Sequence, residues 1–350
     1  MPAAPSSIKI SIIVPCYKAA DTLPRCLDAL LGQTLPDIEI IAVNDGSPDK
    51  CIDILRAYQK EHEDQLVIID KENEGAWAAR RDGIAAARGR HIGFVDADDY
   101  VAPEFCETLY ACAVQHDADI TVCGFCREDA SSGRVLSEEL THPRAPFNAQ
   151  KEPARLLELN TAPWNKLFRA DLLKEMGNLR QPPAIFEDVM MHLLVFPRTE
   201  NVAFAGGSLV RYCVHEGSLM TSITAQQIDS TYQSLVETKD IIEAEDAPQK
   251  MMQLVAAEAF LHMGISLMFH VSCDKDVNLK VILRDNKAYL DEHFPSWKSS
   301  AIISFGHAVK YRGANLKVWL GRLVYRAHLM RAALGAYRFM IEKMGKDIKW

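Results

Sequence analysis

The segment HIGFVDADD, residues 91–99, joins a short apolar run to three carboxylates. The apolar part, from His91 to Val95, has the length and composition of a buried β-strand. Three acids within four residues repel one another, which costs stability unless a cation or hydrogen-bond donors compensate. The segment therefore predicts a strand that ends at a polar, ligand-binding edge.

Four other apolar segments predict further strands, and helical patterns alternate with them. The strands are Ile10–Pro15, Ile38–Val43, Leu66–Ile69 and Asp119–Gly124. Leucines at helical spacing follow Asp21, and further helices are predicted at 52–58, 75–88 and 103–114. Continuous apolar strands separated by helices predict an α/β fold, in which a parallel sheet is covered on both faces.

Polar clusters follow the second, third and fourth of these strands. Asp45 ends the second, Glu72–Gly75 follows the third, and Asp96–Asp99 follows the fourth. The carboxyl ends of parallel strands meet at one edge, where ligands of such sheets bind. Carboxylates there suit Mg²⁺ or Mn²⁺, which complete their shells with phosphate oxygens and water. Because a D-x-D triplet is a weak signal alone, an acidic loop without a metal is the alternative.

Short motifs occur along the chain in the order that one enzyme family shows. They include SIIVPCY at 11–17, VNDGS at 43–47, NEG at 73–75, FVDADD at 94–99, WNK at 164–166 and ED at 187–188. Over residues 8–223 the chain resembles the family-2 glycosyltransferases. The resemblance implies a nucleotide-diphospho-sugar transferase domain of the GT-A type, with a Rossmann-like sheet covered by helices.

The resemblance implies donor-binding roles for five residues. Pro15 and Tyr17 would line a uracil pocket, and Asp45 would accept a hydrogen bond from a uracil N–H. Arg80 would lie near the phosphates, and Asp96 would approach the ribose. From the residues alone, Asp45 also suits a turn aspartate that caps the following helix, and Arg80 suits a helix surface.

The metal and the catalytic base are implied in the same way. Asp98 would hold the Mn²⁺ or Mg²⁺ that bridges the diphosphate, and a cation there stabilises charge developing on the departing nucleotide. The acceptor hydroxyl needs a base on the opposite face, and the family motif places it at Asp188, beside Glu187. A single in-line displacement would invert the anomeric centre. Acids in the first turn of a helix are the structural alternative for this pair.

Three more residues complete the implied site. Trp164 and Lys166 would shape the acceptor side, because an indole face suits the apolar face of a sugar ring. A core tryptophan is the alternative. His215 would contact the diphosphate or the metal, and a structural histidine is the alternative there. For Asp99 the resemblance implies no clear role.

The resemblance therefore implies an inverting, metal-dependent enzyme of cell-surface polysaccharide synthesis. It would move a hexose or N-acetylhexosamine from a UDP-sugar to a glycan or lipid-linked glycan. A nucleotidyltransferase is a second hypothesis, although PCYK at 15–18 is not the glycine-rich loop that such enzymes use. A dehydrogenase would likewise need G-x-G-x-x-G at that place. A non-catalytic relative that binds sugar nucleotides or glycans is the third hypothesis.

The composition indicates a folded, acidic body with a basic tail. The 350 residues are 48% hydrophobic and carry a net charge of −8, yet residues 310–350 contain ten basic and two acidic side chains. An acidic body disfavours nucleic acid, whereas a basic tail suits anionic lipid. No apolar run is long enough to span a membrane, and no secretory signal precedes the first strand. The nine cysteines have no disulfide spacing, which favours a cytoplasmic location with reduced thiols.

The tail repeats apolar residues every three or four positions. They are Leu316, Leu320, Leu323, Ala327, Met330, Leu334, Tyr337, Ile341 and Met344. This spacing predicts one helix with an apolar stripe, flanked by Arg322, Arg326, Arg331 and Arg338. Such a helix would lie on the inner membrane surface as a peripheral anchor. Packing on the protein's own body, or against a second copy in a homodimer, is the alternative.

The pattern along the chain predicts three regions. Residues 1–225 form the catalytic domain, 226–309 a helical region, and 310–350 the basic helical tail.

Overall fold

The computed structural model describes residues 8–142, 144–215, 223–274 and 276–344. Their contacts divide the chain into two compact units. The first contains the described residues of 1–148, 161–182 and 198–218, and the second those of 149–160, 183–197 and 219–350. Two short segments before residue 200 therefore belong with the C-terminal helices, which the sequence did not indicate. The three predicted regions, residues 1–225, 226–309 and 310–350, stay a prediction. Residues 345–350 lie outside the part of the chain that the structure describes.

The first unit is built on one mixed sheet. Its strands are β1 Ile10–Cys16, β2 Ile38–Asp45, β3 Leu66–Lys71, β4 His91–Phe94, β5 Tyr100–Val101, β6 Ile120–Asp129, β7 Val135–Glu139, β8 Phe147–Asn148, β9 Lys166–Arg169 and β10 Asn201–Val214. Among the described strands the order is β3-β2-β1-β4-β9-β6-β10-β5, with β7 beside β6 and β8 beside β10. The five predicted strands are confirmed, and the fifth extends to Asp129.

The predicted parallel pairing is confirmed among β1 to β4, but the sheet as a whole is mixed. The pairs β1–β2, β2–β3 and β1–β4 are parallel. Strand β9, however, enters between β4 and β6 and is antiparallel to both. It carries the predicted Lys166 and was not recognised as a strand, because four residues between polar segments give little periodicity.

Helices cover this sheet and complete its core. They are α1 Leu23–Leu31, α2 Cys51–Glu61, α3 Ala76–Ala86 and α4 Phe105–His116. Apolar faces of α1 and α4 pack with β1 and β2 in one buried cluster. Cys123 and Cys126 are buried residues of β6.

A buried polar network fixes the loop before β4. The Ser11 hydroxyl donates to Glu39 Oε1 at 2.6 Å and accepts from the Gly89 N–H at 2.8 Å. The Arg88 N–H also donates to Glu39 Oε1, at 2.7 Å. Because buried polar groups are costly when unpaired, these bonds hold the loop against β1.

We expect Gly89→Ala to destabilise the first unit. An added Cβ would lie 2.5 Å from the Ser11 nitrogen and 2.8 Å from the Ile10 carbonyl carbon, both of which belong to β1. The free energy of unfolding should fall by about 2 kcal/mol, which urea or thermal unfolding measures. Gly335→Ala is the control, since nothing lies within 4 Å of its Cβ position and a helix prefers alanine. Equal loss in both variants would contradict the packing argument.

The second unit is helical. Its helices are α5 Glu187–Val195, α6 Ala225–Ala244, α7 Gln249–Ala259, α8 Met268–Ser272, α9 Leu279–His293, α10 Phe305–Tyr311, α11 Gly313–Arg326 and α12 Met330–Met344. A π-helical segment, Phe260–Leu267, joins α7 to α8. In the described residues only this continuous helix, Gln249–Ser272, is long and apolar enough to cross a membrane, and 83% of its most apolar window is buried. Such burial is typical of a core helix.

The prediction of one continuous tail helix is wrong. Helix α11 ends at Arg326, α12 begins at Met330, and His328 between them has a φ of 57°. The predicted stripe also divides: Leu334 and Tyr337 are buried, whereas Leu320 and Leu323 are exposed.

Two of the flanking arginines point into the protein. Arg322 donates to the carbonyls of Ser300, at 3.2 Å, and Ile303. Arg338 donates to the carbonyl of Ser272 at 2.7 Å. Guanidinium groups cap free carbonyls well, so these two arginines stabilise the unit and do not reach toward lipid.

Candidate active site

Asp45 organises the edge of the sheet at the end of β2. Its two carboxylate oxygens accept the N–H groups of Glu74, at 2.9 Å, and Gly75, at 2.8 Å. The Asn73 side chain donates to the Asp45 carbonyl at 2.9 Å. Asp45 thus holds the loop that leads into α3, rather than capping the helix after Gly46. Each of its oxygens keeps a second acceptor position, which a ligand N–H could use.

Arg80 and Asp96 form an ion pair at the same edge. The Arg80 Nη2 lies 3.2 Å from Asp96 Oδ1. Arg80 is buried, so the interpretation of this residue as a helix-surface arginine is wrong. The positive charge of Arg80 offsets the negative charge of Asp96, so this edge of the sheet repels a diphosphate less strongly.

The two following acids have opposite environments. Asp98 has a 51% exposed side chain, whereas Asp99 is 1% exposed and accepts the Cys213 N–H at 2.7 Å. Burial, and then the neighbouring Asp96 and Asp98, raise the pKa of Asp99 to about 9. The pKa of Asp98 is also raised, first by burial and then by Asp96. Asp99 therefore ties this acidic loop to β10, and Asp98 is the carboxylate presented to solvent.

Arg25 makes a second link between these segments. Its Nη2 donates to the Asp98 carbonyl at 3.0 Å and to Cys213 Sγ at 3.1 Å, and its guanidinium lies 4.6 Å from the centre of the Tyr100 ring. Neither Arg25 nor Cys213 was predicted as a site residue. No sequence signal marks them, because α1, the acidic loop and β10 are far apart along the chain.

His215, just after β10, lies beside Asp98. Its Nε2 is 3.8 Å from Asp98 Oδ2 and has no hydrogen-bond partner within the described residues. The structure therefore brings together the two residues that the resemblance assigned to the metal and the diphosphate.

Pro15 and Tyr17 lie at the carboxyl end of β1. Tyr17 is exposed, and the Lys18 ammonium lies 5.2 Å from its ring centre. The Lys18 N–H donates to Ser47 Oγ at 2.7 Å, which joins this loop to the one after β2. The exposed Tyr17 ring therefore lies at the same edge of the sheet as the end of β2, where Asp45 is.

Trp164 and Lys166 are both buried in the first unit. The Trp164 ring stacks on Tyr212 at 5.3 Å and meets Phe125 edge-on at 4.7 Å. Lys166 Nζ donates to the Ala162 carbonyl at 2.6 Å. The structure places Trp164 in the core, which was the alternative interpretation, and it presents no open indole face to a sugar.

Glu187 and Asp188 begin α5 in the second unit. Phe186 before them has a φ of 59°, and the Asp188 carbonyl accepts His192 Nδ1 at 2.8 Å. Both acids are partly exposed. Acids in the first turn also stabilise a helix through its dipole, so this placement agrees with the structural alternative, and the catalytic role of Asp188 stays a prediction.

Comparison with known proteins identifies the N-terminal half of the sequence. Residues 11–177 match the family model described as Glycosyl transferase family 2. This part of the chain belongs to glycosyl transferase family 2. The match includes every donor-side residue predicted above except His215.

Two relatives illustrate the range of the family. The chain is 35% identical over 215 residues to the uncharacterized glycosyltransferase EpsJ of Bacillus subtilis, covering 60% of this chain and 62% of that protein. It is 29% identical over 310 residues to the poly(ribitol-phosphate) beta-glucosyltransferase of Bacillus spizizenii, covering 86% of this chain and 45% of that protein. The chain thus spans less than two thirds of the length of these relatives.

A solved structure shows the same fold. S. aureus TarS 1-349 in complex with UDP-GlcNAc superimposes with a TM-score of 0.69 at 18% identity, covering 92% of each chain. The GT-A fold predicted from the motifs, with a helical C-terminal region, is confirmed by this similarity.

The side chains of Asp98 and His215 fit a divalent cation that is held mainly by the oxygens of a bound ligand. In the described residues no three histidine, cysteine or acidic side chains are grouped to hold a metal alone. Asp98, whose side chain is half-exposed, and the buried, unpartnered His215 Nε2 offer two metal-ligand atoms 3.8 Å apart. Mg²⁺ and Mn²⁺ accept such a site because they are commonly bound by one or two protein groups together with phosphate oxygens.

Proposed function

We propose that the protein is an inverting, metal-dependent glycosyltransferase of cell-surface polysaccharide synthesis. It would transfer a hexose or N-acetylhexosamine from a UDP-sugar to a glycan or a lipid-linked glycan. The observation that carries the proposal is the edge of the sheet, where a half-exposed Asp98 stands beside His215 and the Arg80–Asp96 pair. The poly(ribitol-phosphate) glucosyltransferase relative and the UDP-GlcNAc complex of a protein with this fold support it.

The donor nucleotide would be held by the loops after β1, β2 and β3. The Tyr17 ring would stack on the base, and Asp45 would accept a base N–H with the acceptor position left on its carboxylate. Pro15 would support the same pocket. Arg80 would fix Asp96 toward the ribose and reduce the repulsion between this edge and the diphosphate.

Asp98 and His215 would hold the Mn²⁺ or Mg²⁺. When bound, the cation neutralises charge on the diphosphate oxygens. A neutral imidazole and a carboxylate are both suitable ligands for Mn²⁺, and a single carboxylate suits Mg²⁺.

The acceptor would be activated by Asp188, with Glu187 beside it at the start of α5. As the acceptor oxygen bonds to the anomeric carbon, the bond from that carbon to the diphosphate oxygen breaks. The acceptor proton passes to the Asp188 carboxylate, and UDP leaves with the electron pair. Attack from the face opposite the leaving group inverts the anomeric centre.

Trp164 and Lys166 would act by supporting the wall of the site. Both side chains are packed within the first unit, so we propose that they hold β9 and the end of β10 in place rather than contact the acceptor. The enzyme would work in the cytoplasm, as a peripheral protein where its acceptor is lipid-linked.

Calorimetric titration tests this function directly. We expect UDP to bind in the presence of Mn²⁺ or Mg²⁺ and to bind much more weakly in EDTA. A panel of UDP-sugars, assayed for metal-dependent hydrolysis or transfer, would then identify the donor. Tight binding of NAD, or metal-dependent UDP binding without turnover of any UDP-sugar, would contradict the proposed enzyme.

A further inference from the structure

Helices α10 and α11 carry an apolar surface that the described part of the chain leaves uncovered. We name it the α11 face, and its residues are Phe305, Val309, Leu316, Leu320 and Leu323, which are between 38% and 63% exposed. Contiguous exposed apolar patches of this kind mark sites of interaction, whereas single exposed residues are ordinary.

The members of the α11 face lie side by side. Leu316, Leu320 and Leu323 are spaced by four and three residues, so they share one side of α11. Trp319 belongs to the same helix, and its ring centre lies 5.2 Å from that of the Phe305 ring of α10. An indole beside exposed leucines is typical of a surface at the boundary between lipid and water.

The opposite side of α11 is fixed in the second unit. The Tyr325 hydroxyl donates to the Gly264 carbonyl at 2.7 Å, and the Asn315 side chain donates to the Ala154 carbonyl at 3.0 Å. A Cβ on Gly321 would lie 2.4 Å from Ile265 Cδ1, which shows how closely α11 approaches the π-helical segment. The helix therefore cannot rotate to bury its leucines without losing these contacts.

The segment that carries the α11 face has charged side chains of one sign, although Lys310 Nζ lies 3.7 Å from Glu152 Oε2 of an earlier segment. From residue 299 to residue 341 the sequence contains no aspartate or glutamate. The exposed basic residues on and beside the face are Lys310, Arg312, Lys317, Arg326 and Arg331. Since the whole chain carries −8, this basic region is a local exception on an acidic protein.

We propose that the α11 face docks on an anionic membrane surface. Its leucines and Phe305 would enter the headgroup boundary, and the surrounding basic side chains would meet lipid phosphates. A symmetric pair of copies fits less well, because a twofold axis would place these positive charges against each other. The docking stands apart from catalysis, and its use in reaching a lipid-linked acceptor rests on the proposed function.

Vesicle sedimentation of the full chain tests the proposal. Phosphatidylcholine vesicles with and without phosphatidylglycerol would be compared for the parent and for Leu320→Asp/Leu323→Asp. Point changes are preferable to removing the tail, since α11 also contributes buried Val318 and Tyr325. The matched control is Val114→Asp, which adds an acid at a 62% exposed apolar position of α4.

We expect the parent and the control to sediment with the anionic vesicles and to be released by salt. The double variant should bind at least about tenfold more weakly, with an unchanged melting temperature. Equal binding by the parent and the double variant would overturn the proposal.

A second copy as the occupant gives a different result. Light scattering would then detect a dimer for the parent and a monomer for the double variant, and neither protein would sediment with the vesicles. That result would also overturn the proposal. UDP titration of the double variant should match the parent, so a failed docking test leaves the proposed function to be judged separately.

Discussion

Asp98→Asn is expected to abolish metal-dependent UDP binding. Asparagine keeps the size of the side chain but removes the charge, and an amide oxygen is a much weaker ligand for Mg²⁺ or Mn²⁺ than a carboxylate. Asp98 is the exposed acid of its loop, with His215 Nε2 3.8 Å away, whereas Asp96 pairs with Arg80 and Asp99 is buried. We expect the affinity for UDP with Mn²⁺ to fall at least about 100-fold, which corresponds to roughly 2.7 kcal/mol.

The experiment separates loss of the cation from loss of the fold. UDP binding in EDTA, measured by the same titration, should be similar in the parent and in Asp98→Asn. Asp64→Asn makes the same change of charge at an exposed turn before β3, and it should bind UDP as the parent does. Retention of the full Mn²⁺ dependence by Asp98→Asn would contradict the assignment of the metal to this residue.

The sheet and its polar edge could be predicted because both depend on local patterns. A buried strand shows as a short apolar run, and a strand end shows as an abrupt change to polar residues. Asp45, Asp96 and Asp98 follow such runs directly, so their shared edge follows from parallel pairing alone. The pairing partners of β9 and β10 depend on contacts distant in sequence, and no local pattern indicates them.

The groups that position Asp98 could not be predicted for the same reason. Asp99 accepts the N–H of Cys213, which is 114 residues away, and Arg25 reaches Asp98 across 73 residues. The burial of Trp164 could not be predicted either, because its aromatic partner Tyr212 lies on β10, which is distant in sequence. In the tail, helical spacing identified an apolar stripe, but Gly321 and Asn315 decided which side faces the protein.

Asp188→Asn is expected to retain UDP binding and to lose sugar transfer. If Asp188 removes the acceptor proton, asparagine leaves the donor side intact and provides no base. General base catalysis typically contributes about 100- to 10,000-fold, and the rate of transfer should fall by that amount while the UDP affinity changes less than about twofold. The comparison requires the donor and acceptor found in the UDP-sugar screen, followed by measurement of kcat and of UDP affinity on one preparation.

A purely structural role for Asp188 makes a different prediction. Its position in the first turn of α5 would then contribute only through the helix dipole, about 0.3–1 kcal/mol, and asparagine would lower the melting temperature slightly without a large change in kcat. Asp229→Asn, which changes an exposed acid in the second turn of α6, is the control for loss of a helix-borne charge in the same unit. Transfer at the parental rate by Asp188→Asn would contradict the base assignment. The base assignment would be supported if Asp188→Asn loses transfer at an unchanged melting temperature and Asp229→Asn does not. Loss of a proton acceptor lowers kcat without changing stability or UDP affinity.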